Sequence, residues 1–276
     1  MAKVHFLSEF LSKQINILYF CGFLSGKYMK FLGIIPSRFA STRFPGKPLV
    51  DIGGKPMVQR VFEQVRDTVD KLVVATDDER IWEAVHSFGG NAVMTSKEHP
   101  SGTDRCCEAL LLMGCDFDVV INIQGDEPFI KPSQIELLKG CFSAADTQIA
   151  TLVKPFDNDS DFEQHLSNPN TPKVVLNNRM EAIYFSRSVI PFIRGKEKSQ
   201  WPASHIFYKH IGLYGYRSDV LKVITALPPS SLEIAESLEQ LRWLQNGFSI
   251  KVAITELETL GIDTPEDLNK YLRRIY

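Results

Sequence analysis

Cysteine is scarce in this sequence, and the few thiols form no recognisable framework. The 276 residues include five cysteines, at positions 21, 106, 107, 115 and 141, and no two of them are spaced as C-x-x-C. An odd number of thiols without paired spacing argues against a disulfide framework and against a structural zinc site. We therefore expect reduced thiols and a cytoplasmic protein.

Two further absences limit the partners of this chain. The formal net charge is only -2, so no overall positive field attracts nucleic acid or an anionic membrane. The apolar segment at residues 15–24 is shorter than the roughly 20 residues that a membrane-spanning helix needs. We expect no nucleic-acid partner and no stable membrane insertion, so any anion site must be local.

The first 28 residues are predicted to form an extension outside the fold. They precede Met29, and the first fold-forming strand follows directly. A secretory signal peptide is the alternative, but Glu9 and Lys13 interrupt the pattern and no A-x-A cleavage site follows. We assign residues 29–276 to a single domain.

Apolar runs and helical repeats alternate through the first half of the chain. Buried strands are predicted at residues 31–35, 71–76, 91–95, 118–123 and 148–154. Helices are predicted between them, one with Pro56 in its first turn, one capped by Asp78, one opened by the loop at residues 101–105 and one from residue 133. Pro36 is expected to end the first strand. This alternation predicts an α/β fold with a mostly parallel, Rossmann-like sheet and right-handed crossovers.

The second half departs from this rhythm. Residues 155–216 are rich in hairpin signals, with strands at 173–176 and 181–186 around Asn177-Asn178-Arg179. We expect this hairpin excursion to close the substrate pocket or to contact a second subunit. Helices then resume at 218–227 and 232–246, a strand follows at 248–255, and Thr264 caps a final helix.

The loop after the first strand concentrates cationic and hydroxyl side chains. It carries Arg38, Ser41, Thr42, Arg43 and Lys47 around a Pro-Gly turn. Ligands of open α/β sheets bind outside the carboxyl ends of the strands, and arginine offers a planar fork to phosphate oxygens. The loop therefore suits a triphosphate, and a solvated basic loop is the alternative.

Carboxylates are predicted at the same edge of the sheet. Gln124, Asp126 and Glu127 follow a buried strand, and Asp263 precedes the cap of the last helix. Two acids and an amide at a strand end suit a metal or substrate site. The alternative for the first group is an acidic capping loop.

Taken together, the motifs of this chain resemble those of one enzyme family. In order they read IIPSRFASTRFPGKPL, VATDD, SGTDR, NIQGDEP, YFSR, KHIGLYGY, LEQLR and GIDTPEDL, and they span residues 31 to about 272. The set resembles 3-deoxy-manno-octulosonate cytidylyltransferases. Ser37, Phe39, Phe44 and Asp104 differ from the residues expected there, and none of these differences removes a presumed ligand.

The resemblance implies an activity, a fold type and a set of partners. It implies transfer of CMP from CTP to 3-deoxy-D-manno-octulosonate (KDO), with release of pyrophosphate, for lipopolysaccharide synthesis. It further implies a sheet of the nucleotide-diphospho-sugar transferase type, Mg²⁺ as cofactor and a homodimer. CTP and KDO would be the substrates.

The resemblance also assigns site residues. Arg38, Lys47 and Asp126 would be catalytic, and Asp126 and Asp263 would bind Mg²⁺. Nucleotide-binding residues would be Arg38, Ser41, Arg43, Lys47, Ala75, Thr76, Ser101, Gly102, Thr103 and Arg105. Sugar-binding residues would be Gln124, Arg187, His210, Tyr214, Glu239 and Gln240. By pattern alone, His210, Tyr214, Glu239 and Gln240 would pass for ordinary core or surface residues.

Three other functions compete with this interpretation. One is a cytidylyltransferase for another acidic sugar, such as sialic acid. Another is a glycosyltransferase, although no D-x-D motif stands at the relevant strand end and the letters at residues 116–118 precede a strand. The last is a non-catalytic nucleotide-binding domain, against which the two acids Asp126 and Asp263 argue.

Overall fold

Nine strands form one mixed sheet in the structure, a computed structural model that describes residues 28–40, 44–114, 116–157, 162–258 and 261–275. The predicted N-terminal extension therefore lies outside the described residues, apart from Tyr28. The strands are β1 Phe31–Ser37, β2 Lys71–Thr76, β3 Ala92–Met94, β4 Val119–Asn122, β5 Ile149–Pro155, β6 Lys173–Leu176, β7 Ala182–Ser186, β8 Tyr208–Arg217 and β9 Ile250–Ile254.

Helices connect most of these strands, as the alternating pattern predicts. Those described are α1 Met57–Val65, α2 Glu79–Ser87, α3 Gly102–Leu112, α4 Pro132–Gly140, α5 Phe162–Ser167, α6 Ser218–Thr225, α7 Ser231–Glu236, α8 Gln240–Gln245 and α9 Pro265–Ile275. Asp78 caps α2 by accepting a hydrogen bond from the backbone N–H of Arg80 at 3.0 Å. Thr264 caps α9 by accepting from the N–H of Asp267 at 3.2 Å. No helix in the described part of the chain has the length and apolar character needed to cross a bilayer.

The sheet is mostly parallel, as predicted. Its main path runs β3-β2-β1-β4-β8-β5-β9, and β6 and β7 pair beside β8. Only β8 runs against its neighbours β4 and β5, so the other strands of the path share one direction. Their carboxyl ends therefore meet at one edge, where the loops with charged residues gather.

A hydrophobic core lies on each face of the sheet. On one face, the apolar side of α1 packs with β2 and α4, and Val58, Val61 and Val65 are fully buried. On the other face, α3, α6 and α8 pack over the strands around Leu110, Tyr216 and Trp243. A fully buried aliphatic or aromatic side chain contributes about 1.5–3 kcal/mol to folding, so these two layers hold the sheet rigid under the loops at its edge.

Several boundaries shift by one or two residues from the sequence prediction, and two differences have a clear physical reason. The first strand does not end at Pro36, because β1 stays paired with β2 through Ser37, opposite Thr76. On the other side of β1 the pairing with β4 stops at Ile34, so a proline without an N–H is tolerated beyond that point. The predicted helix 232–246 is instead two short helices, because Ser237 adopts a left-handed conformation with φ 50°.

The hairpin excursion forms as predicted and has a small core of its own. β6 and β7 pair in antiparallel register around the turn at Asn177, and β6 also pairs with β8. Beside them, α5 packs its apolar side on Trp201 and Phe207. Among the aromatic residues of this excursion, Trp201 is buried and Phe192 is 75% exposed.

Candidate active site

A cleft of about 270 Å³ opens at the carboxyl ends of β1 and β4. Four segments bound it: the loop after β1, the start of α3, the loop after β4 and the segment before α9. Its lining residues are Pro36, Ser37, Arg38, Lys47, Pro48, His99, Pro100, Ser101, Gly102, Arg105, Gln124, Gly125, Asp126 and Asp263. This is the edge at which parallel sheets bind ligands.

Lys47 lies between the two acids predicted to hold a metal. Its Nζ donates to Asp126 Oδ2 at 2.8 Å and to Asp263 Oδ1 at 3.1 Å. Asp263 reaches this position because the N–H of Ile262 donates to the carbonyl oxygen of Asp126 at 2.9 Å. One ammonium, two carboxylates and the open cleft therefore share one small volume.

A tight turn places Lys47 at the cleft. Gly46 has φ 71°, a left-handed conformation in which glycine is unstrained, and its N–H donates to the carbonyl of Phe39 at 3.0 Å. The Phe39 ring lies next to Gly46, and the Arg80 guanidinium lies over this ring, 3.3 Å from its centroid. Arg38 lines the cleft, whereas Ser41 and Arg43 lie outside the described residues.

The start of α3, predicted to bind the nucleotide, contacts Glu239, a residue predicted to bind the sugar. The Ser101 hydroxyl caps the helix by accepting from the N–H of Asp104 at 3.1 Å. Ser101 Oγ and Thr103 Oγ1 also contact the Glu239 carboxylate, at 2.9 and 2.6 Å. Burial raises the pKa of Glu239, and the two hydroxyl donors oppose that shift. The loop predicted for the base and the acid predicted for the sugar therefore form one unit.

The remaining residues predicted for the nucleotide are mostly enclosed. Ala75 and Thr76 are fully buried at the end of β2. Arg105 lines the cleft, but its guanidinium donates to Asp77 Oδ2 at 2.9 Å and to Thr95 Oγ1 at 2.5 Å. Arg105 thereby ties the ends of β2 and β3 to α3, a role that sequence reasoning did not assign to it.

His210 and Tyr214 lie on β8, behind the cleft. Gln124 lines the cleft, and its Cγ is 3.9 Å from where a Cβ on Gly212 would lie, so β8 borders the wall of the site. The rings of His210 and Tyr214 are 5.2 Å apart. Burial lowers the pKa of His210 to about 3, so this ring is neutral at pH 7.

Several buried polar atoms in this region have no hydrogen-bond partner. They are Asn122 Oδ1, Gln240 Nε2 and Trp243 Nε1. Buried polar atoms are normally paired, so such a group indicates a place where water or a polar ligand completes the bonding. The half-buried carboxylate of Glu239 lies nearby. Burial is the main cause that raises the pKa of Tyr214 and Tyr216, and the charge of Glu239 adds to it. The region suits a polyhydroxylated ligand.

Arg187 uses its guanidinium within the protein. Its nitrogen atoms donate to the carbonyl oxygens of Glu236, Pro169 and Ser237 at 2.6, 2.9 and 3.1 Å. The Glu236 carboxylate in turn accepts from the Arg187 backbone N–H at 2.8 Å. Arg187 thus fixes the junction between α7 and α8, from which Glu239 and Gln240 extend, and a direct bond to a sugar carboxylate would use its remaining donors.

His99 is a cleft residue that the sequence prediction missed. Its Nε2 pairs with Glu108 Oε2 on α3, and the same oxygen accepts from the N–H of Ser96 at 2.8 Å. The only available signal was its position two residues before the loop that opens α3. A lone histidine in a polar segment is more often structural, so pattern alone could not identify it.

Comparisons with known proteins agree with this arrangement. A sequence profile of the family described as "Cytidylyltransferase" matches residues 32–254. A protein from Parabacteroides distasonis, named 3-deoxy-manno-octulosonate cytidylyltransferase, is 67% identical over 88% of this chain and 97% of its own length. A protein of the same name from Cytophaga hutchinsonii is 56% identical over 87% of this chain and 95% of its own.

Solved structures extend the comparison to the fold. A structure described as CMP:2-keto-3-deoxy-manno-octonic acid synthetase complexed with CTP matches with a TM-score of 0.80 and 42% identity, covering 89% of this chain and 98% of its own. A 4-diphosphocytidyl-2C-methyl-D-erythritol synthase from Anaerococcus prevotii matches with a TM-score of 0.56 at 14% identity, which shows a common fold.

Proposed function

Because this chain belongs to the 3-deoxy-manno-octulosonate cytidylyltransferase family, we propose that it transfers CMP from CTP to KDO and releases pyrophosphate. The enzyme is a nucleotidyltransferase. The observation that carries the proposal is the convergence of Lys47, Asp126 and Asp263 on a cleft at the strand ends. None of the comparisons supports sialic acid as the acceptor.

The proposed reaction is a displacement at phosphorus. The anomeric hydroxyl oxygen of KDO forms a bond to the α-phosphorus of CTP, the bond from that phosphorus to the α,β-bridging oxygen breaks, and pyrophosphate leaves with the electron pair. The hydroxyl proton passes to solvent. Such transfers depend on positioning and on stabilising developing charge, without a covalent nucleophile from the protein.

The residues of the cleft supply those two requirements. The ammonium of Lys47 and the guanidinium of Arg38 face the space where a triphosphate would lie, and their charges would oppose the negative charge that develops on it. The start of α3 offers backbone N–H groups and the dipole of an eleven-residue helix. Gln124, His210 and the buried polar atoms near Tyr214 would orient the sugar acid.

We propose Mg²⁺ as the cofactor, held by Asp126 and Asp263. The residues fit this ion, because two carboxylate oxygens already lie within 2.8 and 3.1 Å of a single cationic nitrogen. Among the described residues, no group of three or more His, Cys, Asp or Glu side chains is arranged to hold a metal. Two protein carboxylates together with phosphate oxygens and water are a typical Mg²⁺ shell. When bound, the ion would neutralise phosphate charge.

The cellular role follows from the product. CMP-KDO is the activated form of a lipopolysaccharide sugar, so we propose that the enzyme serves lipopolysaccharide synthesis in the cytoplasm. We further propose that it works as a homodimer, with residues 155–216 at the contact. The exposed Phe192, outside the small core of the excursion, supports this contact.

Release of pyrophosphate from CTP tests the function directly. The full chain is incubated with CTP and Mg²⁺, with KDO, with N-acetylneuraminic acid or with no sugar, and pyrophosphate is measured by a coupled assay. We expect release with KDO only, and CMP-KDO as the second product by mass spectrometry. Release with sialic acid but not with KDO, or with neither sugar, would overturn the proposal.

A further inference from the structure

The pairing of β5 with β8 contains an irregularity beside His210. Thr151 is paired with Tyr214, but the next residue, Leu152, is paired with Ile211, so two residues of β8 have no partner. A bulge of this kind bends the strand and interrupts the ladder. It turns two carbonyl groups of β8 towards the Thr151 side chain.

The Thr151 hydroxyl lies at the centre of the bulge. Its Oγ1 is 2.8 Å from the carbonyl oxygen of Leu213, 3.2 Å from that of Ile211 and 3.0 Å from Nε2 of His210. Thr151 is fully buried, so these three groups, together with the neighbouring Tyr214 hydroxyl, determine its hydrogen bonding. Carbonyl oxygens only accept hydrogen bonds, and a hydroxyl has a single hydrogen to give.

This arrangement determines which nitrogen of His210 carries the proton. The hydrogen of the Thr151 hydroxyl must point to a carbonyl oxygen, because two oxygens 2.8 Å apart with no hydrogen between them would repel. Oγ1 then accepts from the imidazole, so Nε2 carries the hydrogen and Nδ1 has the lone pair.

The other nitrogen of the ring, Nδ1, is not used by the surrounding described residues. The aromatic rings of Phe185 and Tyr214 pack against His210, with centroids 5.1 and 5.2 Å away, and neither ring face offers Nδ1 a strong donor. Nδ1 makes no hydrogen bond with the described residues. Burial also keeps the ring neutral, since it lowers the pKa of His210 to about 3.

We propose that Thr151 is a positioning residue that fixes His210 as the Nε2–H tautomer, so that Nδ1 accepts a hydrogen bond from a hydroxyl group of the sugar acid. The role of Nδ1 towards the sugar rests on the proposed function. The tautomer itself does not, because it follows from the hydrogen bonds around Thr151 in the protein without substrate.

A long-range ¹H–¹⁵N correlation spectrum of the full chain tests the tautomer. The His210 signals are identified by their absence from a His210→Gln variant, and no substrate is added. At pH 7 we expect a neutral ring protonated on Nε2, and a changed tautomer ratio in Thr151→Val. A wild-type ring protonated on Nδ1, or an identical pattern in Thr151→Val, would overturn the proposal whether or not the enzyme uses KDO.

Steady-state kinetics test the role towards the sugar. Thr151→Val keeps the shape of the side chain but loses the hydroxyl, and we expect the KM for KDO to rise about 3- to 10-fold while the KM for CTP stays within about twofold. Thr151→Ser keeps the hydroxyl and should restore the wild-type KM. An equal rise in both KM values, or no rescue by serine, would show a merely structural residue.

Thr147→Val provides the matched control. Thr147 is also buried, and its hydroxyl donates to the carbonyl of Cys141 at 2.7 Å, just before β5 and away from His210. This variant should lower the melting temperature without changing the KM for KDO or the His210 signals. If Thr151→Val does not fold, the wild-type spectrum and the Thr151→Ser kinetics still decide the question.

Discussion

Lys47 is the residue on which the charges of the cleft converge. Its side chain is only 16% exposed and contacts two carboxylates, one of which is 44% exposed. Partly exposed ion pairs contribute little to stability, about 0–1 kcal/mol each, because solvent screens them. The arrangement supports the proposed role of Lys47, in which a positioned cation stabilises charge on a transferring phosphate.

Replacement of Lys47 separates these two roles. We expect Lys47→Ala to lower kcat about 10²- to 10³-fold, the usual effect of removing one positioned electrostatic donor. The melting temperature should change by only a few degrees. Lys55→Ala is the control, because Lys55 pairs with Glu63 at 2.6 Å outside the cleft, and its turnover should stay normal. Near-normal turnover of Lys47→Ala would favour a solvated basic loop.

The two acids are expected to act as one metal-binding unit. Asp126→Asn and Asp263→Asn keep the side-chain shape but remove a charge, so each variant should fold, lose most of its activity and need more Mg²⁺ for the rest. The double variant should be little worse than either single one. Turnover of each variant is measured as a function of Mg²⁺ concentration. Asp146→Asn, a change at an exposed aspartate, is the control. Wild-type turnover of both single variants at limiting Mg²⁺ would exclude the metal assignment.

At the scale of elements, the junction between α7 and α8 determines where two predicted sugar ligands lie. The apolar spacing predicts one continuous helix, yet Ser237 turns the chain with φ 50° and begins a new direction before Glu239. Arg187 holds the carbonyls of Glu236 and Ser237 in this turn. After this break, the Glu239 carboxylate accepts hydrogen bonds from the hydroxyls of Ser101 and Thr103. The prediction of one continuous helix did not include these contacts.

Substitution of Ser237 tests this turn. A β-branched residue in the left-handed region is strained, so Ser237→Val should destabilise the protein by about 1–2 kcal/mol in urea unfolding. Ser237→Gly carries no such strain and should be close to wild type. Ala235→Val, at an exposed position inside α7, should cost less than about 1 kcal/mol. Equal stability of the Val and Gly variants at position 237 would contradict a strained turn.

At the scale of the whole molecule, the exposed aromatic residue of the excursion is an unusual feature. Phe192 is 75% exposed, although Trp201 packs against it at a centroid distance of 5.5 Å and is itself buried. Aromatic side chains are enriched where subunits contact each other. This observation supports the proposed homodimer.

Light scattering tests the assembly. At micromolar concentration we expect a mass of twice the 31.2 kDa of one chain. Phe192→Asp should shift the mass towards that of a single chain, because a charge would be buried in the contact. Leu112→Asp, a comparable change at a residue 56% exposed on α3, should leave the mass unchanged. A 31.2 kDa species for the wild-type chain would exclude the homodimer.

The sequence by itself determined the class of fold and most of its elements. Strand β2 lies at the predicted residues, and the helices capped by Asp78 and Thr264 start where their caps predict. Such elements are predictable because apolar spacing and capping are local properties, read within a few residues. The candidate loops around Lys47 and Asp126 were predictable for the same reason, since each directly follows a buried strand.

Only the tertiary structure decided how these loops meet. Lys47 contacts Asp126 across 79 residues and Asp263 across 216, and Glu239 contacts Ser101 across 138. No local pattern encodes such distances, because they depend on the order of strands in the sheet and on where the chain breaks its helices. The hydroxyl of Thr151 is the same kind of case. Its proposed role depends on a register shift between β5 and β8. Register depends on all the contacts along two paired strands, so position 151 by itself gives no sign of the shift.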